Sequence, residues 1–409
     1  MLSIFGCPVK IFCNKETVTI NVRNKETNEK IKLYDYVKKK CPSLIGDKAY
    51  YYPTPWIGNG HVQTAYAAFQ KFEDIHLIDY ERKIVSTPDG GQIAVDWTPP
   101  LSKKPFDDTP TIVVLHGLTG GSHESYIRCI LDILVNPPHN YRAVVINFRG
   151  CAESDITSPR LYSAAATDDI RSAIRYIREC IPDAPLLGIG FSMGANILVK
   201  YLGEEGENTP LSAAASIANP FDLVNGSRAL EGTYAGKYIY SPAMASNLKE
   251  ALARHEHMMK KDKRLDLEYV KSANTLREFD SRLTTVSFGY ETVDHYYKDA
   301  SSSQFIPKIK IPLLCLNAED DPIASQQCIP YNECIYNSNI ILATTYYGGH
   351  LGWFTGLWKP TRWCIKPLSE WCIAFLEIYG NSNNNNSLKQ SDDEESNSSS
   401  EVETVVDDN

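Results

Sequence analysis

Six short apolar runs punctuate the middle of the chain: "TIVVL" (111–115), "AVVIN" (143–147), "LLGIG" (186–190), "AAASIA" (213–218), "LLCLN" (313–317) and "NIILAT" (339–344). None alternates with polar residues, so each predicts a strand buried on both faces. Most gaps carry helical periodicity, as in "SAAATDDIRSAIRYIREC" (163–180), where Ala, Ile and Ile recur at helical spacing. Strands alternating with helices predict a parallel sheet covered on both sides. Ahead of them, "KIVSTPDGGQIAVDW" has a central Asp-Gly-Gly turn and predicts an antiparallel hairpin at the sheet edge. One interval breaks the alternation. From about Phe221 to Pro307 only helical patterns occur, and in "MASNLKEALARHEHMM" the apolar stripe 244, 248, 252, His255, 259 predicts a helix packed on the body. A helical excursion above the carboxyl ends of a parallel sheet is also where a substrate lid sits.

The ends of the chain read differently. "KIFCNKETVTINVRNKETNEKIKLYDYV" alternates apolar and polar residues and predicts a small hairpin or peripheral layer, so residues 1–70 are read as a peripheral segment and 71–380 as the main domain. Residues 381–409 are Asn/Ser-rich and then acidic, a composition that cannot bury enough apolar area to offset ordering entropy; a disordered tail is expected. That tail carries eight acidic residues and one lysine, so of the formal charge of −9 only −2 belongs to residues 1–380. A nearly neutral body lacks the basic face that nucleic acid requires.

Eleven scattered cysteines, with no C-x-x-C pair, form neither a disulfide framework nor a zinc site and fit reduced thiols in a cytoplasmic protein. "MLSIFGCPVKIFC" lacks a basic leading region and is interrupted by Lys10, so it reads as a strand or peripheral segment and not a signal peptide. No run approaches a membrane-spanning length.

Chemistry enters at "LLGIGFSMGANILVKYL", a strand, a sharp turn and a helix with Ser192 between glycines. A serine there stands on a strained elbow with its Oγ clear of the strand ladder, and a side chain at Gly190 or Gly194 would collide with the neighbouring strand and helix. A dinucleotide loop would need a third glycine where Met193 stands. Acyl transfer at serine also needs a base, an acid to orient the base, and donors for the oxyanion. "VVLHGLTGGSHESY" supplies a Gly-rich turn after a strand, with the Leu118 N–H as one donor and the Met193 N–H as the second; His116 reads as a structural turn residue. "IPLLCLNAEDDPIA" ends a strand with Asp320 and Asp321 before Pro322. One aspartate is expected to make an Asx turn and the other to orient the base, Asp321 being preferred as the acid. "YYGGHLGWF" places His350 on a Gly-Gly turn after the last strand, and it is read as the base. His61 is set aside on chain order.

These stretches, with "PWIGNGHVQT" and "NFRGCAESD", span about residues 52–356 and resemble the α/β-hydrolases of the mammalian ABHD1/ABHD3 group, bacterial YheT-like hydrolases and yeast ethanol acyltransferase/esterases. The resemblance implies an α/β-hydrolase fold, mostly parallel with helices on both faces and a helical lid. It also implies serine esterase or lipase chemistry without metal or organic cofactor, and in the yeast branch transfer of medium-chain acyl groups from acyl-CoA to an alcohol. Residues 1–50 and the acidic tail lie outside it. Three readings follow. The first is an esterase of short- to medium-chain acyl esters using Ser192, Asp321 and His350. The second is an alcohol O-acyltransferase sharing its acyl-enzyme, and the third a non-catalytic scaffold binding lipid or protein. The expected partners are an acyl ester or acyl-CoA, with peripheral contact to membranes or lipid droplets left open and no obligate protein partner.

Overall fold

Each of the six apolar runs forms a strand of one sheet. The computed structural model describes residues 6–23, 28–70, 72 and 75–379, so the tail expected over 381–409 lies outside the described residues. The main sheet contains β1 (Lys10–Cys13), β2 (Glu81–Ser86), β3 (Gln92–Thr98), β4 (Thr111–Leu115), β5 (Arg142–Asn147), β6 (Leu186–Phe191), β7 (Leu211–Ile217), β8 (Leu313–Ala318) and β9 (Ile340–Thr345). Their spatial order is β1-β9-β8-β7-β6-β4-β5-β3-β2. The run from β9 to β5 is parallel throughout. β3 pairs antiparallel with β5, and the β2–β3 hairpin closes that edge.

The helices are α1 (Leu33–Lys40), α2 (Gly60–Phe69), α3 (Ser125–Val135), α4 (Thr167–Cys180), α5 (Met193–Glu205), α6 (Leu223–Gly232), α7 (Ser241–Arg254), α8 (Val293–Ala300) and α9 (365–379), with shorter turns between. No helix among the described residues is long and apolar enough to cross a membrane.

Unbroken apolar strands imply a core on each face of the sheet, and both are present. Val113, Leu115, Val144 and Ile146 point to one face, where Ile170, Ile174 and Ile177 of α4 and Ile197 and Leu198 of α5 cover them. Ile112, Val114, Ala143 and Val145 point to the other, against Ile127, Ile130 and Leu134 of α3 and Leu368, Trp371, Phe375 and Ile378 of α9. Full burial of each Val, Leu, Ile or Phe among them contributes about 1.5–3 kcal/mol.

Two elements depart from the sequence reading for local reasons. Helix α4 begins at Thr167, not at Ser163, because the Ala164 N–H donates to the Tyr296 hydroxyl, 2.9 Å away, and Ala164 and Ala165 pack on Tyr296 and Tyr297. The stripe through Met259 is broken at His255, whose backbone leaves helical geometry. The His255 ring is buried with Nε2 3.1 Å from the Gly150 carbonyl, which fixes the end of α7 to the loop after β5.

The N-terminal segment is less peripheral than its polarity pattern indicates. β1 pairs antiparallel with β9 and completes the main sheet, while Thr19–Arg23 and Asn28–Lys32 form the small separate hairpin. α2 lies beneath the loop that carries His350, with consequences below.

Candidate active site

Ser192 sits between β6 and α5 with φ 52° and ψ −119°, a conformation that costs a residue bearing a side chain about 1–3 kcal/mol. Its surroundings hold it there. The Ser192 N–H donates to the Ile217 carbonyl of β7 (2.8 Å), and its carbonyl accepts from Ala195 and Asn196 (3.0 and 3.1 Å). A Cβ at Gly190 would press into Ala195 and Gly194 of α5, and one at Gly194 into the backbone of Leu115 and His116. The two glycines let helix, strand and turn close on the serine, as expected.

His350 links the serine to Asp321. Its Nε2 stands 2.7 Å from Ser192 Oγ and its Nδ1 2.7 Å from Asp321 Oδ2. Because a carboxylate only accepts, Nδ1 carries the ring proton and Nε2 is left to accept from the serine. Asp321 is buried and its other oxygen, Oδ1, accepts the Ile323 and Ala324 N–H groups, each at 2.8 Å. The division of labour expected between the two aspartates is therefore corrected: Asp321 makes the Asx turn and holds the imidazole, one oxygen for each.

Asp320 has a different task. Its Oδ1 accepts the Gly349 N–H at 2.9 Å, while Oδ2 is buried without a partner among the described residues. The His350 N–H donates to Thr64 Oγ1 (2.8 Å), and the Thr64 hydroxyl donates to the Gly60 carbonyl (2.7 Å). The histidine loop is thus clamped between Asp320 and α2, a role for "GNGHVQT" that no spacing reveals across 286 residues.

Burial, with the Asp321 charge adding to it, pushes the Asp320 carboxyl from 3.8 up to about 6. A raised folded value means that stability is fully present below about pH 4 and is lost as pH rises through about 6. Asp320→Asn removes this titration. Melting curves of variant and wild type are expected to coincide near pH 4 and to separate in the variant's favour by pH 7; parallel curves across that range would contradict the assignment.

The Gly-rich turn after β4 is braced by two tyrosines. Gly117 N–H donates to the Tyr126 hydroxyl (3.0 Å) and Thr119 N–H to the Tyr162 hydroxyl (2.9 Å). The Leu118 N–H between them, like that of Met193 at the start of α5, makes no hydrogen bond among the described residues. His116 is buried, with Nδ1–H donating to the Gly117 carbonyl (2.7 Å) and Nε2 accepting from Phe148 (3.0 Å). Burial pushes it down to about 4, so it is a neutral turn residue. His61 stacks on Tyr240 with Nδ1 2.8 Å from that hydroxyl, apart from the serine line.

A cavity of about 130 Å³ runs from Ser192, Leu118 and Met193 under the helical excursion, where Leu223 and Leu230 of α6 and Met244 and Leu248 of α7 line it. Asn196 of the elbow holds this cover in register: its side chain donates to the Ala300 carbonyl (2.8 Å) and accepts the Ser302 N–H (3.1 Å).

Comparison with known proteins agrees with this architecture. A family model described as alpha/beta hydrolase fold matches residues 110–333. The Saccharomyces cerevisiae protein named monoacylglycerol lipase is 34% identical over 396 residues, covering 87% of this chain and 86% of that protein. Human phospholipase ABHD3 is 37% identical over 346 residues, covering 84% and 82%. The S. cerevisiae medium-chain fatty acid ethyl ester synthase/esterase 2 is 29% identical over 428 residues, covering 89% and 94%. Since the family model spans more than half of the chain and these relatives most of it, the chain belongs to the α/β-hydrolase fold family and is a hydrolase.

Proposed function

We propose that the protein hydrolyses carboxylic esters of short- to medium-chain acyl groups through an acyl-enzyme at Ser192. The observation that carries this reading is the unbroken hydrogen-bonded line from Asp321 through His350 to Ser192 Oγ. Its electronic direction is set by Asp321, which accepts the hydrogen bond from Nδ1–H and leaves Nε2 free as a base. Ser192 Oγ attacks the ester carbonyl carbon as its proton passes to His350 Nε2. The oxyanion accepts from the Leu118 and Met193 N–H groups, each worth about 3–4 kcal/mol in a dry pre-aimed site. The carbon–oxygen bond to the alcohol then breaks, and the alcohol leaves with the proton held on Nε2. Water repeats the sequence, giving the carboxylic acid and free serine. A non-catalytic scaffold is disfavoured, because it has no need of this line or of the strained serine.

The apolar cavity supports the acyl class. Its lining by Leu223, Leu230, Met244 and Leu248 beside Ser192 suits a hydrocarbon chain. Tyr234, Tyr238 and Ile239 stand exposed between α6 and α7, which suits contact with a membrane or lipid-droplet surface.

A second reading, acyl transfer to an alcohol, draws on the name of the ethyl ester synthase/esterase relative. It shares every step up to the acyl-enzyme, so the acceptor alone distinguishes the two. Purified protein assayed on a chain-length series of alkyl esters and acyl-CoA thioesters, with and without ethanol, is expected to release free acid with an optimum at short to medium length. Ethyl ester as the dominant product would favour transfer, and no turnover of either series would overturn both.

A further inference from the structure

The wall of the cavity carries one feature that simple acyl binding does not require. Asp280 opens the turn Asp280–Thr284 and is only 8% exposed, yet lines the same cavity as Ser192. Its oxygens accept from two hydroxyls, Thr284 Oγ1 at 2.7 Å and Tyr297 at 2.8 Å. The Arg277 guanidinium on the same wall is bound to Asp294 (2.8 Å) and lies over the Tyr297 ring. No ion pair to Asp280 is formed among the described residues.

A carboxylate has room for about four hydrogen bonds, so two acceptor positions remain after Thr284 and Tyr297. Burying such a group among Leu223, Leu248, Phe279 and Leu283 is costly unless it is further satisfied. Burial pushes its carboxyl from 3.8 up to about 6, and a desolvated acid lining a cleft beside a reactive serine is a candidate for contact with substrate. A leucine would fill this position at lower cost if the cavity held only hydrocarbon.

We propose that Asp280, held by Thr284 and Tyr297, is a specificity-determining residue that selects esters bearing a free hydroxyl, whose O–H donates to its carboxyl inside the acyl cavity. This deepens, and rests on, the esterase reading of Ser192. A neutral hydroxyl suits the place better than an ammonium group, since both existing partners are hydroxyls and Arg277 shares the wall. The hydroxyl has two chemical sources, the acyl chain or the alcohol portion of the ester.

Three esters of matched length separate them: a hydroxyalkanoate methyl ester, a glycerol monoester and a plain alkyl ester. The wild type is expected to prefer at least one hydroxylated ester over the plain one in kcat/KM. In Asp280→Leu that preference should fall by about 10- to 100-fold, the scale of a lost hydrogen bond to a charged group, through KM, with a smaller change on the plain ester. The arm that falls names the source. Where Asp280→Leu melts too low to assay, Asp280→Asn is read the same way, with a smaller fall of about tenfold because one acceptor survives. Fluorophosphonate labelling of Ser192 reports whether each variant retains its site. No wild-type preference, or an equal loss on all three esters, would overturn the proposal and leave Asp280 as an anchor of the lid. Failure of the underlying esterase reading looks different: the wild type itself would be unlabelled and inert on every ester.

Discussion

Ser192→Ala is expected to lower ester turnover by at least about 10³-fold and to abolish labelling by fluorophosphonate probes, with the melting temperature little changed. The size follows from the role. In the proposed mechanism the serine supplies the bond-forming oxygen, and a triad that acts as a unit leaves only the residual help of oxyanion donors and binding once its nucleophile is gone. Alanine keeps a Cβ, so the positive φ of the elbow is no more strained than before, and the Oγ makes its hydrogen bond to His350 rather than to the core. Among the described residues no second serine stands on a strand–turn–helix elbow of this kind. Undiminished labelling of the variant would place the nucleophile elsewhere.

Asp321→Asn should be nearly as severe, with a fall in kcat on the order of 10⁴-fold, the scale seen when a triad acid becomes an amide. The asparagine keeps an Oδ1 able to accept from Ile323 and Ala324, so the turn survives and melting changes little. What it loses is an acceptor facing His350 Nδ1. An amide NH₂ there favours the tautomer with the proton on Nε2, which cannot take a proton from serine. Asp320→Asn, by contrast, should leave kcat within a few-fold and act on the pH dependence of melting. If Asp320→Asn were the inactive variant, the roles of the neighbouring aspartates would be exchanged.

The serine elbow was legible because its requirements are local. A strand, two glycines that admit close packing and a helix start all lie within ten residues, and the same is true of the Gly-rich turn at Leu118 and of each unbroken apolar strand. The meeting of His350 and Asp321 beside Ser192 was legible one step further out, since both sit on turns just beyond strands at the same end of a parallel sheet. What stayed hidden depends on contacts between distant segments. Thr64 holds the His350 backbone from a helix inside residues 1–70, which read as a peripheral segment, and β1 joins the sheet at the open edge of β9. The double use of Asp321 was hidden for another reason. Asx-turn and triad roles look exclusive in a sequence, whereas a carboxylate has two oxygens and can face both ways. The break at His255 was invisible because the apolar stripe continues through it, and only the carbonyl of Gly150 shows why the ring turns inward.

The central claim is that an acyl group is carried on Ser192. Protein mixed with excess ester, quenched in acid within the first turnovers and digested, is expected to show the acyl mass on the peptide containing Ser192, in a burst stoichiometric with active enzyme. It should be absent from Ser192→Ala and depleted when a nucleophilic acceptor is added. Turnover without any adduct, or an adduct on another residue, would contradict the account.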